Sequence, residues 1–144
     1  MWPARFDNRL KQWSHLRQQA QQHDLEKALR DINLWWARCP WTSFYLHPDD
    51  IENWPDPWQL LSDNIYCDLA RALGIVYTIK LLGRNDIHDI ELVQTDEYYN
   101  LVYICKRKYI LNYSDDVVLN TCQPEMKITK TINLDQIDSI KNLR

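Results

Sequence analysis

An α+β fold is what this 144-residue chain predicts, on three observations. Apolar residues recur at three-to-four-residue spacing through the first 36 positions, and a proline-led helix start follows at 56–57. From residue 75 onward the chain becomes a succession of short β-rich runs separated by turn residues. Helices grouped first and strands grouped after them suit helices packed on an antiparallel sheet.

Phe6, Leu10, Trp13, Leu16 and Ala20 mark one helical face, and Leu25, Leu29, Ile32 and Trp36 mark another after a phase slip. The slip falls at 21–24, where Asp24 is placed to cap a second helix; one long helix with a stutter is the alternative. Helical structure ends by Cys39-Pro40, because the residue before a proline is pushed out of the helical region. Residues 40–56 read as a loop rich in Trp, Pro and Asp.

Asp56 as N-cap, Pro57 at the first helical position and Gln59 three residues after the cap then open a central helix over about 57–73. Gly74 is expected to close it in the left-handed conformation. Runs at 75–82, 88–93, 98–105 and 109–113 form an antiparallel meander, with turns at Gly83-Arg84-Asn85-Asp86 and Lys106-Arg107-Lys108. Segments 117–119 and 126–132 add up to two more, for four to six strands in all. Asn133 with Gln136 starts a short C-terminal helix carrying Leu134, Ile137, Ile140 and Leu143. The organisation expected is a single domain, 1–144, in three parts: a helical N-terminal segment (1–39), the loop (40–56) and an α+β core (57–144).

A chain of this length can bury a core without a metal or disulfide. Cys39, Cys67, Cys105 and Cys122 are far apart, with no C-x-x-C pair, and read as free thiols of a reducing compartment. His15, His23 and His47 show no ligand spacing, so no metal is expected, and two glycines cannot build a phosphate loop. The net charge of −3 is uneven. Residues 48–66 hold five acids and no base, while the first 30 hold six bases against three acids. Neither that stretch nor the short basic cluster Lys106-Arg107-Lys108 is dense enough for nucleic acid. No apolar run approaches a membrane span and no secretory signal opens the chain, so it is expected in a cytoplasm or in a virion assembled there, and not to be secreted.

All seven tryptophans lie in the first 58 residues, and Trp35, Trp36, Trp41, Trp54 and Trp58 crowd 24 of them. Each indole removes about 150–250 Å² from water and needs a partner for its N–H, so the five form either an aromatic core corner or a docking surface. They are the candidate partner-binding residues, with protein partners and no small-molecule cofactor expected.

The order helix, histidine run, hairpin resembles the core of the transglutaminase-like, papain-related superfamily over about 57–113. Leu73-Gly74-Ile75 is similar to a Leu-Gly-Ile-Pro element that follows the core helix, His88-Asp89-Ile90-Glu91-Leu92-Val93 to the histidine strand, and Tyr109-Ile110-Leu111-Asn112 to the strand that carries an Asp. In that family a Cys starts the core helix about fourteen residues before the Leu-Gly pair. Counting back from Leu73 puts that position on Gln59, and Asn112 stands roughly at the Asp. Cys67 falls two turns into the expected helix, away from the N-terminal field that activates a thiol. The resemblance implies a cysteine hydrolase or acyltransferase only if Cys67 works with His88 as base and Asn112 or Asp115 as orienting group.

A second stretch, 54–61 with Asn64, 67–70 and Tyr77-Thr78, resembles a small protein encoded among the structural genes of contractile-tailed phages. That implies a virion or assembly component of the tail or baseplate, with other particle subunits as partners. The function expected is therefore a non-catalytic structural or assembly module binding through the aromatic segment. The alternatives are the cysteine enzyme and a small regulator of a host protein.

Overall fold

Two helices, α1 (Phe6–Gln22) and α2 (Leu25–Ala37), lead the chain in the computed structural model, which describes residues 2–116, 118–119, 126–134 and 137. Asp24 separates them as anticipated, its carboxylate accepting the Lys27 amide 2.8 Å away. The loop that follows contains one 3₁₀ turn, Ile51–Asn53, and leads to α3 (Pro57–Asp63), capped by the Asp56 side chain on the Gln59 amide.

From this point the structure corrects the expected course. The helix over 57–73 is two helices, because Asn64 takes a left-handed conformation (φ 55°) that stops α3. A new helix, α4 (Asp68–Leu82), starts behind Cys67. The run 75–82, expected as a strand, is the second half of α4. It is apolar on most of its circumference, Lys80 excepted, because α1, α2 and α3 pack on one side of this helix and β1 and β2 on the other. Gly74 ends nothing. It lies mid-helix where a Cβ would stand 2.5 Å from the Trp36 ring, so its missing side chain is what lets α2 and α4 approach. Gly83, at φ 60°, closes the helix instead.

The sheet holds five strands among the described residues, β1 (Glu91–Thr95), β2 (Asn100–Ile104), β3 (Tyr109–Leu111), β4 (Val118–Leu119) and β5 (Ile128–Ile132). Their spatial order is β4-β3-β2-β1-β5, all antiparallel, with Gln94 opposite Asn100 and Glu91 opposite Tyr103. The first strand begins at Glu91, so His88 precedes it rather than opening it. All five residues of β2 are buried, which is why no alternation shows there. Its Val102 and Ile104 join the main core, while Leu101 and Tyr103 join Val93 and Ile110 in a second apolar cluster. The expected C-terminal helix falls almost wholly outside the described residues; Leu134 and Ile137 are buried.

Two large side chains share one hydroxyl at the centre. The indole N–H groups of Trp13 and Trp36 both donate to Thr78 Oγ1, at 2.9 and 3.0 Å, and that hydroxyl donates to the Gly74 carbonyl. Both lone pairs and the single proton of Thr78 are thereby used, as a fully buried site requires.

Candidate functional site

Cys67 is the N-cap of a 15-residue helix, with extended backbone (φ −97°, ψ 178°) and a side chain that does not cap. The helix ladder begins on its carbonyl, which accepts the Arg71 amide. This reverses the expectation that the thiol sits mid-helix: the residue stands at the N-terminal end of α4, with no side-chain cap bond from its sulfur to the helix. Burial is nearly complete at 5% exposure, and the Leu46 amide of the preceding loop lies 3.5 Å from the sulfur.

The strands facing this helix end supply amides. Asn100 opens β2, its backbone N–H and its side-chain N–H both donating to Asp68 Oδ2 at 2.9 and 3.0 Å. Its Oδ1 accepts from Gln94 Nε2 at 2.7 Å, so both ends of the amide are engaged. Asn112, just past β3 at φ 65°, donates through Nδ2 to Asp68 Oδ1, to the Asp68 carbonyl and to the Asn100 carbonyl. Its backbone N–H goes to Asn33 Oδ1 on α2, and Asn33 Nδ2 continues to the Ser114 carbonyl. One network thus ties α2, α4, β2 and β3 together beside Cys67. The start of α4, the start of β2 and the position just past β3 thus carry Cys67, Asn100 and Asn112.

The other candidates lie elsewhere. His88 is exposed, its ring against Asp89, and its carbonyl accepts the Cys105 amide at the far end of β2. Five residues of strand, about 17 Å, separate that end from Asn100, so the structure does not bring His88 to Cys67. Asp115 is exposed in the bend after Asn112. Gln59, where the count from Leu73 put the nucleophile, sits on α3 with its side chain on Asp63. The count failed because Leu73-Gly74 is inside α4 rather than at its end. Asn100 was missed altogether: a lone Asn at the head of an apolar run carries no signal until the helix opposite is known.

Above Cys67 opens a cleft of about 790 Å³ between the 41–48 loop and the β1–β2 hairpin. The tryptophans divide over it. Trp35, Trp36 and Trp54 are buried and partnered, Trp35 on Gln12 and Trp54 on the His47 carbonyl, so they form no docking surface. Trp41 is 65% exposed and lines the cleft with Phe44 at 63% and Tyr98 at 90%. Trp58 is exposed on α3, edge-on to Trp13 and not among the cleft residues.

Tyr98 occupies the tip of the β1–β2 hairpin at φ 67°. Its amide donates to the Thr95 carbonyl, the arrangement of a three-residue loop whose last position suits glycine. A tyrosine there costs about 1 kcal/mol in backbone strain, and 90% exposure recovers none of it by burial. The other strained hairpin, 105–107, differs: Arg107 reaches Glu91 and the Tyr103 ring, and Cys105 the Asp86 carbonyl.

Electrostatics around the site follow burial. Burial pushes the Cys39 thiol up, more than the hydrogen bond from Arg71 lowers it. Burial likewise raises Tyr66, whose hydroxyl has no partner among the described residues. Cys39, Cys67 and Cys105 are free thiols, while Cys122 lies outside the described residues. No cluster of three or more metal-ligating side chains occurs among the described residues, and no helix among them is long and apolar enough to cross a membrane.

No protein-family model matches the chain, and no curated protein matches it in sequence. Among solved structures, Legionella pneumophila LapG is similar with a TM-score of 0.68, at 13% identity over 90% of this chain and 76% of that one. LapG is a transglutaminase-like cysteine protease, and at that identity the likeness shows the fold alone: the chain has a transglutaminase-like fold.

Proposed function

We propose that this chain is a polypeptide-binding module on a transglutaminase-like fold, in which the cleft retains a thiol but, among the described residues, no imidazole to take its proton, its Asp68 carboxylate being held by the amides of Asn100 and Asn112. The observation that carries this is Asn100. Attack by a thiol needs a group that takes its proton, and an amide locked between Gln94 and Asp68 is not one. No imidazole lines the cleft among the described residues. Its size and its exposed aromatic lips remain suited to holding a chain, and the fold neighbour is a protease.

The test uses the full chain with iodoacetamide and with an activated acyl ester. Cys67 is expected to alkylate more slowly than a free thiol, with no ester turnover, and Asn100→His to accelerate alkylation. Steady ester or peptide turnover by the unmodified protein, lost in Cys67→Ala, overturns the reading.

One observation favours a second reading, acyl transfer by Cys67: the thiol lies at the N-terminus of α4 on the floor of an open cleft. Turnover in the same assay selects it. A role in phage tail or baseplate assembly is supported by the sequence resemblance of 54–78 alone. Mass spectrometry of purified particles tests it, and regulation of a host protein is the outcome if the chain is found only on host proteins.

A further inference from the structure

We infer that the occupant of the cleft is an extended polypeptide segment presenting a lysine or arginine side chain, held between Trp41, Phe44 and Tyr98. This deepens the binding reading above and rests on it. Three exposed aromatic side chains converge on one opening, although Trp41 and Phe44 come from the loop and Tyr98 from the hairpin. Aromatic faces attract cations through their quadrupole, most strongly for Trp and Tyr.

The charge of the lining selects the same ligand. Among the described residues lining the cleft, Asp68 and Asp96 are anionic and none is cationic. Lys130, at the neighbouring strand edge, is already engaged by Asp49 and the Pro48 carbonyl. Asp68 is held by Asn100 and Asn112, which leaves its negative charge in place without a cation. Asp96 is exposed at the hairpin, two residues before Tyr98. A guanidinium or ammonium entering between the rings therefore meets carboxylates that form no ion pair among the described lining residues. Tyr98 adds a reason of its own: glycine would suit its backbone, and the ring gains nothing inside this chain.

Fluorescence anisotropy with labelled hexapeptides tests this, comparing a Lys/Arg-bearing sequence with its Ala and Glu counterparts up to millimolar concentration. The basic peptide is expected to bind at least about tenfold more tightly than either. Tyr98→Gly is expected to weaken it by about tenfold while the melting temperature stays at or above that of the parent; Tyr98→Phe should retain binding. Equal binding of all three peptides, or indifference to Tyr98→Gly, overturns the cationic occupant and leaves the polypeptide reading standing. Absence of binding by every peptide overturns both.

Discussion

Trp36 and Trp41 are five residues apart and have opposite fates. Trp36 is 1% exposed, pressed against Gly74 and hydrogen-bonded to Thr78, whereas Trp41 is 65% exposed on the lip of the cleft. The segment that carries them is thus a hinge of roles, core on one side of Cys39-Pro40 and surface on the other. Indoles crowded in sequence do not form one cluster in space: Trp35 and Trp36 pack with Trp2, Trp58 meets Trp13, and Trp41 lies on the cleft. The energetic weight falls on the buried members, while the recognition proposed for the cleft falls on Trp41 with Phe44 and Tyr98, which are not tryptophans.

Truncation should break the pair apart most visibly. Trp36→Ala is expected to cost about 3–5 kcal/mol by the lost transfer energy and the cavity left behind. Trp41→Ala should stay within about 0.5 kcal/mol, both read by urea unfolding. Equal costs would mean that Trp41 packs as Trp36 does. Next, Thr78→Val keeps the shape but strips two buried indole N–H groups of their acceptor, for about 2–4 kcal/mol. A near-neutral result would show that the shared hydroxyl contributes little to the core side.

Gly74→Ala sharpens the same contact from the opposite helix. A Cβ 2.5 Å from the Trp36 ring forces α2 and α4 apart, at about 1–3 kcal/mol, and pairing it with Trp36→Leu should recover part of the loss. On the cleft side the sign reverses: Tyr98→Gly should stabilise by about 1 kcal/mol, seen as a rise of a few degrees in melting temperature. A fall would mean that the ring supports the fold after all.

The smallest effect concerns pH. Because burial raises the folded pKa of Tyr66, its contribution to stability is complete below the unfolded value near 10 and is lost as pH rises from there toward the folded value. Unfolding at pH 9 and 11 should show that loss in the parent and less of it in Tyr66→Phe.

Much of the fold was legible locally. Asp24 and Asp56 cap the helices their positions promise, and the hairpin runs near 91–104 and 109–111 pair as expected. The central helix was not. A mostly apolar run such as 75–82, interrupted only by Thr78 and Lys80, carries no period that separates a strand from a helix buried on most sides, so Gly74 looked like an ending and Cys67 like an interior residue. That single displacement hid the helix start under the cleft and, with it, the place of Asn100.

By itself the sequence determined that helices precede a sheet, where caps and turns stand, that the indoles are concentrated near one end, and that the chain's few histidines are scattered. Those are properties of neighbouring residues, set by capping, turn chemistry and composition. Only the tertiary structure decided that Cys67 heads α4, that the amides of Asn100 and Asn112 bind the neighbouring Asp68, and that Trp41 is joined by Tyr98 from 57 residues away. Burial on both sides of α4 erases the pattern that would mark its start, and the partners of a site are fixed by packing between segments that share no local signal.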